Sequence, residues 1–331
     1  MFHKNQTTMK RATIFAMALM LGFASCSKES TEGVGPENLD GAALSFSFQR
    51  PGQKYVTYAD IATAAEWEIN TLDIYYFEGT TYKGKLASTD YTESEDAATH
   101  TTTIAMTKDW VTANVGKTYT FYFAANDVAG EATNAPHIPG AFAGNLDAFK
   151  ALPTNVLTDT DADTKFDNIE TSLLFSGVSA PVAVTGGKIS QSVTLKRRVA
   201  RFDIVNPKPY QYRVTEIYVS DVKVQGAMFA AGSGMAPIAT RSLDKIVGPL
   251  PGDYDGTRAA CVFYLYPTEL EDETIALEVE YIGEADGEKE IFTLADDTHV
   301  SIDANKRYTL TLNAADLTFT VGTDEYDEGI I

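Results

Sequence analysis

From Ala43 onward the chain alternates apolar and polar residues with a period of two, the pattern of a strand with one face buried. Leu44-Ser45-Phe46-Ser47-Phe48 is the cleanest case, and Thr71–Phe77 (TLDIYYF), Thr102–Met106 and Thr118–Ala124 (TYTFYFA) follow it. Their aromatic and β-branched content suits a pleated surface, and the Gly, Asp, Ser and Thr clusters between them make turns. A second set comprises Ser192–Val205, Val214–Val224, Ala260–Tyr266, Ile275–Ile282, Glu290–Leu294 and Arg307–Leu312. Helical spacing is confined to Ala59–Leu72, which equally suits a run into the next strand, and to Leu146–Leu152, which Pro153 stops. Gly177–Lys188 (GVSAPVAVTGGK) reads as a linker or long turn. Strands at this density with little helix predict an all-β protein of two tandem β-sandwich domains, 51–184 and 185–331.

The N-terminal region departs from this pattern. Lys4, Lys10 and Arg11 precede the uncharged run Ala12–Phe23, which ends in Phe23-Ala24-Ser25-Cys26. A run of about 12 apolar residues fits a signal segment and is too short to span a bilayer. Small residues before a cysteine resemble a bacterial lipobox, so residues 1–25 are expected to be a lipoprotein signal and Cys26 the lipidated residue. Residues 26–50 then hold a flexible tether, rich in Gly and polar residues up to Gly41, and the first strand. Cys261, in the apolar run Ala259–Tyr266, is the only other cysteine, and reads as a buried small hydrophobe.

The net charge of −20 at pH 7 excludes nucleic acid and anionic lipid surfaces as natural partners, since both attract basic patches. The four histidines are scattered, and no nucleophile elbow, zinc motif or phosphate loop is present. A non-enzymatic role is therefore expected, with no cofactor beyond one metal candidate. Asp159, Asp161, Asp163, Asp167 and Glu170 fall at positions 1, 3, 5, 9 and 12 of an EF-hand-like calcium loop, because a hard dication needs several oxygens from one short segment. Thr164 occupies the place of the turn glycine, and an acidic solvated loop is the plain alternative. Lys196, Arg197, Arg198 and Arg201 form a basic cluster in which Val193, Leu195, Val199 and Phe202 are expected to face a core while the cations meet acids or the other domain.

The lipobox at Cys26, the patterns TLDIYYFEG and TYTFYFAAN, the segment VTLKRRVARFDI and the ending NKRYTLTLNAADLTFTVGTDEYDEGI together resemble the fimbrillins of Bacteroidales, the FimA-like type V pilins. The resemblance implies transthyretin-like sandwiches and a structural pilus subunit that supports adhesion. Such subunits are exported to the outer membrane as lipoproteins, are trimmed by a protease, and polymerise head to tail with other pilin subunits by donor-strand exchange. On this chain the removable strand is Leu44, Phe46 and Phe48, and the donor is Leu317, Phe319 and Val321, set off by the break Asn313–Asp316. Both end strands equally suit completing their own sandwich. Trimming is expected at Arg50, although Pro51 opposes trypsin-like cleavage there, or at Lys54. A tail long enough to donate favours a stalk subunit over a tip. The competing reading is a monomeric glycan-binding surface lipoprotein stacking sugars on Trp67 and Trp110, residues that otherwise belong in a core.

Overall fold

The computed structural model corrects one expectation at once: Thr118–Ala125 (TYTFYFAA), read as a strand with one buried face, is buried on both, because it is apolar at nearly every position. The structure describes residues 43–49, 69–96, 101–127, 142–154, 165–166, 173–208, 211–223, 225–229, 241–243, 245–247, 259–271, 274–282, 288–295 and 299–325. All of these lie within one compact unit, Asn38–Ile331.

Numbered along the chain, the strands form three main sheets. Sheet I has the order β10 (Lys188–Ser192), β1 (Ala43–Gln49), β5 (Thr101–Met106), β4 (Tyr91–Asp96). Sheet II has the order β11 (Lys196–Arg197), β8 (Phe175–Val178), β6 (Thr118–Ala125), β2 (Leu72–Glu78), β3 (Thr81–Lys85), with β9 (Val182–Ala183) also paired to β6. Sheet III is ten-stranded: β15 (Ile246–Val247), β16 (Ala259–Leu265), β12 (Ala200–Val205), β21 (Lys306–Asn313), β22 (Thr318–Glu325), β19 (Lys289–Leu294), β18 (Ile275–Tyr281), β13 (Tyr212–Val219), β14 (Arg241–Leu243), β7 (Lys165–Phe166). A two-stranded ribbon joins β17 (Glu269–Leu270) to β20 (Val300–Ser301). The chain is thus all-β and sandwich-built, with little helix. Apart from β7, membership passes from sheets I and II to sheet III between Arg197 and Ala200.

Sheet I packs on one face of sheet II. Phe46 lies 4.7 Å from Phe121 and 5.3 Å from Phe123, ring centre to ring centre, in the tilted and edge-on arrangements that ring quadrupoles favour. Helix α1 (Lys108–Asn114) adds Trp110 and Val111 to this core, Trp110 sitting 5.8 Å from both Tyr76 and Tyr119. The sequence pattern gave no warning of α1, because a helix of two turns shows too few periodic positions. Its traces are a Thr107 N-cap, Asp109 in the first turn, and Gly116 at φ 85 beyond the end.

The opposite face of sheet II carries Tyr75, Phe77, Tyr122, Ala124 and Leu174, and these are covered by Phe149 of helix α2 (Leu146–Lys150) and by Met228. Helix α2 falls where the spacing predicts it, although its last turn ends at Lys150. The other helical stretch, Ala59–Leu72, lies outside the described residues up to Glu68, and Leu72 opens β2. A strap, 225–229, fixes this cover: Met228 N donates to Leu152 O at 2.8 Å, Phe229 N to Lys150 O at 3.1 Å, and Gly226 N to Thr154 Oγ1 at 2.7 Å.

Two local readings change. Gly177 belongs to β8, opposite Phe123, rather than to a linker. A Cβ there would lie 2.6 Å from Thr194 O, so the glycine serves close approach of two backbones instead of flexibility. The strand expected over Val214–Val224 ends at Val219, and Asp221 at φ 53 turns the chain away.

The basic cluster is more deeply placed than its charges suggest. Val193, Leu195, Val199 and Phe202 are buried as expected, but so are Arg197 and Arg201. Arg201 Nε donates to Asp203 Oδ1 at 2.6 Å, Arg307 Nε donates to Asp203 Oδ2 at 2.5 Å, and Asp203 is 1 % exposed. Arg197 sits over the Phe175 ring at 5.5 Å, while Arg198 donates twice to Ala227 O on the strap. Charge-assisted bonds offset the cost of taking these ions from water.

Candidate functional site

The geometry singles out the seat of β1. This strand is an interior member of sheet I: Ala43–Ser47 run parallel to Lys188–Ser192, and Ser45–Gln49 run antiparallel to Thr101–Ala105. Leu44, Phe46 and Phe48 all point inward and are 1 %, 0 % and 2 % exposed. Each such side chain contributes about 1.5–3 kcal/mol by leaving water. Phe46 and Phe48 rest on Phe121 and Phe123, while Ile104 of β5 is buried in the same core. Ser45 and Ser47 are half-buried on the other face. Taking β1 out would therefore leave a groove with an apolar floor and two strand edges, each bearing backbone donors and acceptors that demand partners.

The predicted donor is placed in its own chain. β22 lies between β21 and β19, antiparallel to Lys306–Asn313 and parallel to Thr293–Leu294. Phe319 is 1 % exposed, whereas Leu317 and Val321 are half-buried. Leu317 has φ 55, a left-handed conformation that a leucine adopts only at a cost, and its carbonyl accepts from Thr293 N at 3.2 Å. The turn before it is held by Asn313, whose Nδ2 donates to Asp316 Oδ2 at 2.8 Å and whose Oδ1 accepts from Ala315 N at 3.2 Å.

The other predicted positions group less simply. Cys26, Arg50, Lys54, Asp159, Asp161, Asp163, Asp167, Glu170 and Trp67 lie outside the described residues. Among the described residues, no group of three or more His, Cys, Asp or Glu side chains is arranged to hold a metal ion. Cys261 is buried in β16, and burial pushes its thiol up to about 12, which leaves it unreactive at neutral pH. Trp110 is 7 % exposed, with its ring in the core rather than on the surface.

Residues 42–199 match the family described as major fimbrial subunit protein (FimA), a span that takes in the whole of sheets I and II and stops just before β12. No curated protein matches the sequence. Among solved structures, the chain is similar to the tip fimbrial protein Mfa3 of Porphyromonas gingivalis with a C-terminal truncation, at 11 % identity and a TM-score of 0.51, over 86 % of this chain and 98 % of that one. A putative cell adhesion protein of Bacteroides eggerthii gives 16 % identity and a TM-score of 0.46, over 88 % and 91 %. The fimbrial anchor protein Mfa2 of Porphyromonas gingivalis gives 14 % and 0.38, over 84 % and 95 %. At such identities the first of these speaks for the fold alone, and the likeness to the FimA major fimbrial subunit family rests on the match to 42–199, the segment that builds the β1 seat.

Proposed function

We propose that this chain is a non-enzymatic, structural fimbrial subunit that assembles by exchange of terminal strands. It is exported as an outer-membrane lipoprotein through Cys26, trimmed at Arg50 or Lys54, and joined head to tail to further copies in a stalk, each giving its C-terminal strand to the seat vacated by β1 of the next. A head-to-tail contact that does not close on itself builds a filament. The observation that carries the reading is the position of β1: an interior strand with three fully buried apolar side chains, ending at Gln49 next to the basic residues where a protease would cut. Removal of this interior strand would open a groove that recruits another strand. In the same reading the chain divides into two sandwiches, and the passage between sheets at Arg197–Ala200 supports a boundary there rather than at residue 184. For the acidic run Asp159–Glu170, an acidic solvated loop remains the plain reading, and a melting temperature raised by added Ca2+ would assign it instead as a calcium loop.

Limited trypsin digestion of the protein lacking residues 1–25 tests the proposal, read by N-terminal sequencing and a gel of unboiled sample. A new N-terminus between Pro51 and Tyr55, with a ladder of stable oligomers, is the expected result. A trimmed product that stays strictly monomeric overturns the stalk assignment.

A further inference from the structure

β1 and β22 carry nearly the same strand. Leu44-Ser45-Phe46-Ser47-Phe48 and Leu317-Thr318-Phe319-Thr320-Val321 place Leu on Leu and Phe on Phe, with small hydroxyl residues between, and of the three apolar positions only the last differs in size. Side chains repeat every two residues along a strand, so a slip of one residue would drive Thr318 and Thr320 into the core. A slip of two in one direction puts Thr323 at the place of Phe48, which is 2 % exposed. A slip of two in the other puts Ala315 at the place of Leu44 and Leu317 between Phe121 and Phe123. One register fills every apolar position with an apolar side chain, two of the three with the same residue.

The two places also differ in how well they hold β22. At home it has eight register partners on β21 and two on β19; the β1 seat offers five on β5 and five on β10. Backbone pairing is thus balanced, and side chains decide. At home Leu317 and Val321 are half-buried, whereas the three apolar positions of the seat are 1 %, 0 % and 2 % exposed. The move also takes Leu317 from φ 55 into extended backbone, where leucine is unstrained. Against this, leaving home bares β21 and β19 along the track of β22, so β22 stays at home while β1 fills the seat.

We propose that β22 of one copy occupies the β1 seat of the next in a single fixed register, Leu317 in the place of Leu44, Phe319 in that of Phe46 and Val321 in that of Phe48, antiparallel to β5 and parallel to β10. This rests on the strand-exchange reading. Two consequences follow. Thr320 takes the place of Ser47, whose partner on β5 is Thr103. And Val321 under-fills a pocket shaped by a phenyl ring, so the natural joint is looser than the seat allows.

The test is cysteine cross-linking in trypsin-trimmed protein. Thr320→Cys with Thr103→Cys should give an intermolecular disulfide that appears only after trimming, while Thr320→Cys with Thr101→Cys or Ala105→Cys should not. Within one copy Thr320 faces Thr311, so a Thr320–Thr103 bond reports a second copy. Alongside it, Val321→Phe should slow release of subunits from the ladder about tenfold, the effect of 1.4 kcal/mol of added burial. Cross-linking at Thr101 or Ala105 in place of Thr103, or a ladder that Val321→Phe loosens, overturns the register while leaving strand exchange standing. A parent protein that never forms a ladder after trimming overturns strand exchange and the register with it.

Discussion

β6 of sheet II and β12 of sheet III are both buried on two faces, yet they bury opposite kinds of chemistry. β6 turns Tyr119, Phe121 and Phe123 to one core and Tyr122 and Ala124 to another, so both of its faces are apolar. β12 turns Phe202 and Ile204 to a core, with Phe202 stacked on Phe263 at 4.7 Å, but sends Arg201 and Asp203 to the other side. An apolar second face needs a lid, which α2 and the strap provide; a charged second face needs each ion matched by its partner. The first kind of face loses stability in proportion to the surface removed, and the second fails abruptly when one partner goes.

The sharpest test of that contrast is Asp203→Ala. Asp203 accepts from Arg201 and Arg307, and removing it strands buried cationic charge. A loss of about 3–5 kcal/mol is expected, read as a lower urea midpoint at unchanged slope. Phe149→Ala strikes the apolar lid instead. Phe149 is 0 % exposed and touches the rings of Tyr75, Phe77, Tyr122 and Phe229, so the expected loss is about 3 kcal/mol, at the lower end because a lid on the outer face can partly collapse. If Asp203→Ala proves milder than Phe149→Ala, the charged face is not the more brittle one.

Where lid and strap meet sheet III, pH gives a third handle. Tyr266 lies beneath Gly226, whose missing Cβ would come 3.1 Å from the ring, and burial pushes its hydroxyl up to about 12. The folded state keeps the phenol neutral, while the unfolded chain ionises near 10. Stability from this residue is therefore intact below pH 10 and lost as pH rises from 10 to 12, by about 2–3 kcal/mol in all. Tyr266→Phe should flatten that part of a stability-against-pH curve; a curve unchanged by the substitution would place the alkaline loss on other tyrosines.

The contrast between the two strands was half legible in the sequence. Leu44, Phe46 and Phe48 announce one buried face, but TYTFYFAA reads the same way, and its Tyr122 and Ala124 turn out to fill a second core on the opposite face. What covers the second face of sheet II was not legible, because Met228 and Phe229 sit more than seventy residues from Thr154 and show no period. The run LKRRVARFD gives the right inward positions, yet its arginines read as surface groups, since only tertiary pairing with Asp203 and the Ala227 carbonyl allows them inside. The alternation of β1 and β22 was clear as well; that β1 is an interior strand, and that Leu317 is left-handed, are facts of register and turn geometry to which composition is blind.

The smallest effect separates the two helical lids. Each is N-capped by a side chain, but not equally: Asn145 Oδ1 accepts from Ala148 N at 2.8 Å, while Thr107 Oγ1 accepts from Trp110 N at 3.4 Å, near the limit of a useful bond. Asn145→Ala should therefore cost about 1 kcal/mol, and Thr107→Ala only a few tenths. The locations argue the same way. α1 is pinned from within by Trp110 and Val111, so fraying its first turn leaves its anchors in place, whereas α2 has only five residues and a single fully buried side chain, Phe149. Thermal melts of the two variants rank them, and hydrogen exchange over 146–150 locates the loss. Should Thr107→Ala prove the costlier, α1 is held by its cap rather than by its core contacts, and the apolar inner face of sheet II depends on its end helix more than the packing of Trp110 implies.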